Sequence, residues 1–134
     1  MTRLTIHDLD GGVLAFDLRD VIRVLAPRSL AATWTITSPE ESSFEATGVG
    51  GQRLEELAGA AARIAGDELL VIADDIVQVI WGYFVGALPD DPHQEWLTIR
   101  AFDSSFYEVE TSDADAVEKV KSRFSDVRIV KDPH

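Results

Sequence analysis

The sequence predicts an α+β fold: one mainly antiparallel sheet with two or three helices packed on one face. Stretches rich in β-branched and aromatic residues follow one another with only turns between them, most clearly at 96–102 and 106–111. Apolar residues recur at helical spacing in 52–65 and after Ser112. Because 134 residues is close to the usual size of one domain, we expect a single domain over 1–134.

The N-terminal part is predicted to hold a hairpin followed by a short helix. Residues 4–9 and 13–18 read as two strands on either side of Asp10-Gly11-Gly12, whose glycines suit a tight turn. Asp20 can cap a helix that ends near Pro27, since proline disfavours helical backbone in the residue before it.

The middle of the chain is predicted to pair two strands and then form the clearest helix. Residues 33–37 are β-branched and aromatic, and 44–47 are predicted to return as a strand after a loop at 39–43. Gly48 to Gly51 is predicted to be a flexible connection, with anion binding at a helix start as a weaker alternative. The stripe of apolar residues through 52–65 predicts an amphipathic helix.

The C-terminal half is predicted to be strand-rich. Residues 67–75 suit either a buried strand or a helix, and we favour a helix. Both faces of 77–85 are largely apolar, which is typical of a central strand. The remaining elements are predicted to be a hairpin of 96–102 and 106–111, a helix capped by Ser112, a strand at 127–130 and a frayed end at 131–134.

The register of this hairpin follows if its loop is Asp103 to Ser105. Phe102 then faces Phe106, and Arg100 faces Glu108. One face is aliphatic and belongs to the core. The other face combines aromatic and charged side chains, as interaction surfaces do: Trp96, Arg100, Phe102, Phe106, Glu108 and Glu110, with Asp103 in the loop. The alternative is that another segment, such as the N-terminal hairpin, covers these aromatic residues.

The acidic charge is concentrated in one stretch of the chain. The net charge is −12, from 24 acidic and 12 basic residues, and 64–118 alone holds thirteen acids against Arg100. Such a surface repels nucleic acid and anionic membranes and attracts a basic protein, and loop acids such as Asp90 and Asp91 would steer its approach. The alternative is that the acidity only serves solubility.

The sequence contains no motif for catalysis or for cofactor binding. It has no cysteine, nucleophile elbow, paired-histidine zinc motif or phosphate-binding glycine motif. The stretch from His7 to Gly12 lacks the further oxygen ligands of a calcium loop, so we expect no metal site. With neither an apolar run of membrane-spanning length nor a signal sequence, we expect a cytoplasmic protein.

These observations favour a protein-binding module over an enzyme. In size, acidity and lack of catalytic motifs the chain resembles small cytoplasmic inhibitors such as the immunity proteins that neutralise basic toxin nucleases. The resemblance implies an inhibitor of a basic partner. Two alternatives stay open: a small-ligand-binding protein or enzyme with a pocket between sheet and helices, and a self-associating structural protein that forms a homodimer through its aromatic face.

Overall fold

The computed structural model describes residues 1–39 and 43–130 and confirms the α+β class. The predicted frayed end at 131–134 and residues 40–42 of the predicted loop lie outside the described residues. The strands are β1 (Thr2–Ile6), β2 (Leu9–Asp10), β3 (Val13–Leu14), β4 (Thr33–Thr37), β5 (Glu45–Gly48), β6 (Arg63–Ala65), β7 (Ile76–Ala87), β8 (Leu97–Phe102), β9 (Phe106–Thr111) and β10 (Val127–Val130). The helices are α1 (Leu18–Val24), α2 (Arg28–Ala31), α3 (Val49–Gly59), α4 (Gly66–Asp74) and α5 (Ala114–Arg123).

Strand β7 is the central member of an eight-stranded sheet. The strand order is β10-β1-β9-β8-β7-β4-β6, and β5 also pairs with β7. Strand β8 lies along one edge of β7, whereas β4 and β5 follow one another along the other edge. All of these pairs are antiparallel. The small hairpin of β2 and β3 forms a separate two-stranded sheet.

The helices cover one side of the sheet, called here the covered face. Two large rings lie directly on glycines of β7: an added Cβ would be 2.4 Å from the Phe44 ring at Gly82 and 2.9 Å from the Trp34 ring at Gly86. Glycine is therefore required at both positions for these rings to reach the backbone. The largest fully buried side chains are Trp34, Tyr107, Phe84, Leu4, Ile6, Leu18, Ile22, Leu25, Ile36, Leu54, Leu69 and Leu97.

The N-terminal prediction is wrong in its hairpin and in its helix boundary. Only β2 and β3 pair as a hairpin, because residues 2–6 form β1, which pairs with β9 and β10 instead. Strand β3 ends at Leu14 instead of Leu18, and α1 begins at Leu18 with Asp17 at the capping position. Asp20 lies in the first helical turn, where its carboxylate accepts a hydrogen bond of 2.8 Å from the backbone N–H of Asp17. It therefore stabilises the start of the helix, but from inside its first turn.

The predicted helix at 52–65 is displaced towards the N-terminus. Helix α3 begins at Val49, after Gly48 with φ of 94°, so 49–51 is helical and not a flexible connection. The helix ends at Gly59, and 63–65 pairs with β4 as strand β6. Ile64 is consequently half-buried on a strand, not buried on a helix as its place in the apolar stripe predicted.

The later elements agree more closely with the sequence. Residues 67–75 are helical except for Asp75, and the strand at 77–85 is present within β7. The hairpin has the predicted register, with Phe102 opposite Phe106 and Arg100 opposite Glu108. The described residues contain five helices, more than the expected two or three, because short helices such as α2, with four residues, lack an apolar stripe long enough to recognise.

Candidate functional site: the uncovered face of the sheet

The side of the sheet opposite the helices, called here the open face, combines aromatic and charged side chains. Strand alternation and register place on it Arg3, Thr5, Trp81, Tyr83, Thr98, Arg100, Phe102, Phe106, Glu108 and Glu110. The N-terminal strand β1 lies beside β9 within the sheet, and does not cover the hairpin aromatics. Trp81, Tyr83, Phe102 and Phe106 each keep part of their surface in solvent.

Five rings on this face contact one another across neighbouring strands. We call them the aromatic row: His7, Trp81, Tyr83, Phe102 and Phe106. The rings of Phe102 and Phe106 stack at 4.9 Å between centroids, and His7 stacks on the other side of Phe106 at 5.1 Å. Trp81 and Tyr83 meet Phe102 edge-on at 6.2 and 6.3 Å. The row therefore runs from the end of β1 to β7 near the tip of the β8–β9 hairpin.

Mutual stacking contributes to the partial burial of these rings. Each aromatic pair contributes about 0.5–1.5 kcal/mol beyond the burial of area, so the row is held in place by its own contacts. Rings held in this way lose little conformational entropy when a partner docks on them. The row thus combines exposure with preorganisation.

A network of two arginines and two glutamates continues the open face beyond the row. Arg100 donates hydrogen bonds to Glu108 at 2.6 Å and to Glu110 at 3.4 Å. Arg3 donates to Glu110 at 3.0 Å and lies 3.7 Å from Glu108. The charges of these four residues cancel one another.

The network also sets the ionisation of one of its acids. Partial burial raises the pKa of Glu110, but the hydrogen bond from Arg3 and the charge and hydrogen bond of Arg100 outweigh it, so the pKa is lowered overall. The guanidinium of Arg100 also lies 5.5 Å from the centroid of the Tyr83 ring. Arg100 therefore joins the charged network to the aromatic row.

Acidic residues border the aromatic row. Glu45 pairs with Trp81 across β5 and β7, and Asp103 follows Phe102 in the hairpin turn with φ of 50°. At the other end, the carbonyl of Asp126 accepts a hydrogen bond of 2.8 Å from the backbone N–H of His7. The hydrogen bond from Arg128 lowers the pKa of Asp126.

One predicted site residue, Trp96, does not lie on the open face. Its indole N–H donates to Asp113 at 2.9 Å, and its ring meets Trp34 of the covered face at 6.1 Å. Asp113, not Ser112, caps α5 by accepting from the N–H groups of Asp115 and Ala116. The alternation that placed Trp96 with the hairpin aromatics fails because this residue precedes β8 and is turned towards the cap.

Asp90 and Asp91 lie far from the aromatic row. They are exposed in the loop that joins β7 to β8, whereas the row lies near the turn that joins β8 to β9. The six residues of β8 separate these two loops by about 20 Å. Asp91 instead lines a cavity of about 240 Å³ together with Trp96 and Asp113.

Three members of the row, Trp81, Tyr83 and His7, were not predicted from the sequence as site residues. Trp81 and Tyr83 alternate onto one face of β7, a strand that the sequence predicted, but nothing in the sequence paired that face with the hairpin. His7 was considered only as a metal ligand. The missing information was the pairing of β7 with β8 and of β1 with β9, which joins segments distant in sequence.

The turn that carries His7 and Asp8 is held by hydrogen bonds. The carboxylate of Asp8 accepts from the backbone N–H groups of Ser125 at 2.8 Å and Asp126 at 2.6 Å. Burial, followed by the charge of Arg128, lowers the pKa of His7 against the opposing effect of Asp126. Within 1–39 and 43–130, no three acidic, histidine or cysteine side chains are grouped as metal ligands would be.

A carboxyl group is also buried under the covered face. The Oδ1 atom of Asp17 accepts hydrogen bonds from the hydroxyl of Tyr107 and from the backbone N–H of Val79, the latter at 3.2 Å. Its Oδ2 atom has no hydrogen-bond partner among the described residues. Burial raises the pKa of Asp17, and burial and the adjacent Asp17 raise that of Tyr107.

Comparisons with known proteins add no family to this geometry. No protein-family model, curated protein or solved structure matches the chain. Among the described helices, none combines the length and apolar character needed to cross a membrane. The functional argument therefore depends on the open face itself.

Proposed function

We propose that the protein is a binding module that docks a basic partner protein on the open face, with the aromatic row as its anchor. The observation that carries this proposal is the set of five partly exposed rings in mutual contact on the side of the sheet away from the helices. Interfaces concentrate their binding energy in such aromatic residues.

The surroundings of the row favour a cationic partner. Glu45 and Asp103 border the rings, whereas Asp126 at the His7 end is paired with Arg128. Aromatic rings also attract lysine and arginine side chains through their π-electrons. The charge of −12 adds long-range attraction for a basic protein. The neutral network of Arg3, Arg100, Glu108 and Glu110 would then act as a polar rim of the interface. Charges of the partner that pair with this rim would fix the orientation of the partner.

An inhibitory role of the immunity type follows if the partner places its active surface against this face. Such a role requires tight binding and no chemistry by the module. The charge map supports rapid capture, because electrostatic steering raises association rates.

Binding kinetics test the proposal. The protein is immobilised to capture a partner from native lysate, and surface-plasmon measurements follow with the purified partner. We expect Phe106→Ala to raise the dissociation rate by about tenfold or more, as loss of an interface anchor does. Val13→Ala is the matched control, since Val13 is 63% exposed on the β2–β3 hairpin, outside the aromatic row. A partner that is acidic, or one that is indifferent to Phe106→Ala, would overturn the proposal.

The charges provide a second readout in the same experiment. Neutralising Asp103 should lower the association rate more than neutralising Asp90 or Asp91, because Asp103 borders the row and the other two lie about 20 Å away. All three effects should fade as salt rises. Equal effects at the two ends of β8 would mean that the acids act only through total charge.

A further inference from the structure

One arginine of the chain already lies against the aromatic row. The guanidinium of Arg100 is 5.5 Å from the centroid of the Tyr83 ring, and the two residues are direct neighbours across β7 and β8. On its other side Arg100 is opposite Glu108, to which it donates a hydrogen bond of 2.6 Å. A ring and a carboxylate thus hold one guanidinium between them on the open face.

A second ring and carboxylate lie side by side without such a cation. Trp81 is opposite Glu45 across β5 and β7, and the Cβ atoms of directly opposite residues lie about 5 Å apart. Among the described residues, no lysine or arginine forms an ion pair with the exposed Glu45, or with the exposed Asp103 of the hairpin turn. The row is therefore bordered by carboxylates that can pair with a cation from another molecule.

The contact between Trp81 and Phe102 leaves room for such a cation. Their ring planes stand at 80° to each other, so this contact covers at most one face of the Trp81 ring. Trp81 also keeps part of its surface in solvent. A planar cation that approaches from solvent can therefore stack on Trp81 while Glu45 accepts its hydrogen bonds, as Glu108 accepts those of Arg100.

Arginine suits this combination of ring and carboxylate better than lysine does. A guanidinium is planar and weakly hydrated, so it can stack on a ring while its N–H groups reach a carboxylate. The ammonium group of lysine is compact and strongly hydrated, and it acts mainly as a point charge. The net charge of −12 attracts either residue to the same extent, so a preference between them must come from stacking and hydrogen bonding.

We propose that Trp81 and Phe102 bind an arginine side chain of the partner protein, with Glu45 as the acceptor of its hydrogen bonds. Asp103 adds negative charge beside the same rings. The inference rests on the proposed function, because it specifies the side chain by which a basic partner docks on the open face. It adds recognition of one residue type to a general attraction for positive charge.

Two synthetic ten-residue peptides of equal charge test this preference on isotope-labelled full-length protein. One alternates arginine with serine, and the other alternates lysine with serine. In nuclear magnetic resonance titrations, the arginine peptide should cause saturable shifts at the Trp81 indole, Phe102 and Glu45. Its affinity should be about threefold or more above that of the lysine peptide. The indole of Trp34, which is fully buried, is the internal control and should not shift.

A charge variant identifies the carboxylate that accepts the guanidinium. Glu45→Gln should weaken binding of the arginine peptide by about threefold or more, because the amide carries no charge to pair with it. Asp90→Asn is the matched control, since it removes an exposed carboxylate at the other end of β8. At that distance the charge is screened by salt, so this variant should bind the arginine peptide as the wild type does.

The outcomes separate this inference from the function on which it rests. Equal affinities of the two peptides, equal effects of the two substitutions, or shifts that do not include the Trp81 indole would each overturn the inference. None of these results contradicts docking of a lysine-rich partner on the open face. The proposed function fails separately, if the captured partner is acidic or binds Phe106→Ala as tightly as the wild type.

Discussion

The two faces of the sheet use aromatic side chains in opposite ways. On the covered face, Trp34 and Phe44 pack closely against glycines of β7, and Phe84 is fully buried beneath the helices. On the open face, Phe102 and Phe106 stack on each other. The same residue type thus fills the core on one side and forms a partly exposed row on the other.

The polar groups of the two faces differ in the same way. Asp17 under the covered face has one oxygen without a hydrogen-bond partner among the described residues, whereas Glu108 and Glu110 on the open face are each contacted by two arginines. Burial dominates the first site and ion pairing the second. The difference indicates that the covered face supplies stability and that the open face can tolerate exchange of contacts with a partner.

Removing one ring from each face should give the largest difference in stability between the two faces. Phe84→Ala is expected to lower the free energy of unfolding by about 3–5 kcal/mol, because it leaves a cavity in the core. Phe106→Ala should lower it by only about 1–3 kcal/mol, the size of its two lost ring contacts with Phe102 and His7. Urea denaturation of both variants measures the difference. Similar losses would mean that the aromatic row is a structural core and not an available surface.

Glycine substitutions test how tightly the rings of the covered face pack against β7. Gly82→Ala should lower the free energy of unfolding by about 1–3 kcal/mol, since its Cβ would stand 2.4 Å from the packed Phe44 ring. Gly59→Ala is the matched control: its Cβ would meet no atom within 4 Å, and alanine favours the helix by up to about 1 kcal/mol. Thermal melting of the two variants should therefore shift in opposite directions. A neutral Gly82→Ala would contradict the tight placement of Phe44.

The smallest expected effect is a difference between carboxyl groups of the two faces in how their contribution to stability depends on pH. The pKa of Asp17 is raised by burial, so its contribution to stability is present below its ordinary value of 3.8 and is lost as pH rises through the folded-state pKa. The pKa of Glu110 is lowered on balance, so its contribution is present above 4.5 and is lost as pH falls. As pH rises, the free energy of unfolding of Asp17→Asn should therefore increase relative to that of the wild type. That of Glu110→Gln should decrease relative to the wild type, by about 1 kcal/mol or less.

Urea titrations from pH 3 to pH 8 check both directions. The two variants provide each other's control, because each replaces a carboxyl with its amide. Parallel pH profiles would mean that the two carboxyl groups share a similar environment, contrary to the burial of one and the pairing of the other.

The sequence predicted local features and missed those that depend on distant contacts. The β8–β9 register was predictable because Phe102 and Phe106 flank a short loop, which fixes every opposite pair. The ends of α3 were not predictable, because the apolar spacing continues through Ala61 and Ile64. The chain leaves the helix there to pair with β4. Periodicity alone does not distinguish these two outcomes.

The candidate site was predicted only in part for the same reason. Arg100, Phe102, Phe106, Glu108 and Glu110 share a face through local strand alternation. The placement of Trp96 failed because its partner, Asp113, belongs to a helix cap that sequence analysis assigned to Ser112. The pairing of β7 with β8, which completes the aromatic row, has no counterpart in local sequence.

The carboxylate of Asp113 joins three separate parts of the chain. One oxygen caps α5, and the other accepts from the Trp96 indole and from Arg28 of α2. A change at any one of Arg28, Trp96 and Asp113 leaves the other two with an altered partner, so their effects on stability are coupled and do not add. Among homologous sequences, substitutions at these three positions are therefore expected to covary. The exposed acids of the 88–96 loop are expected to vary independently.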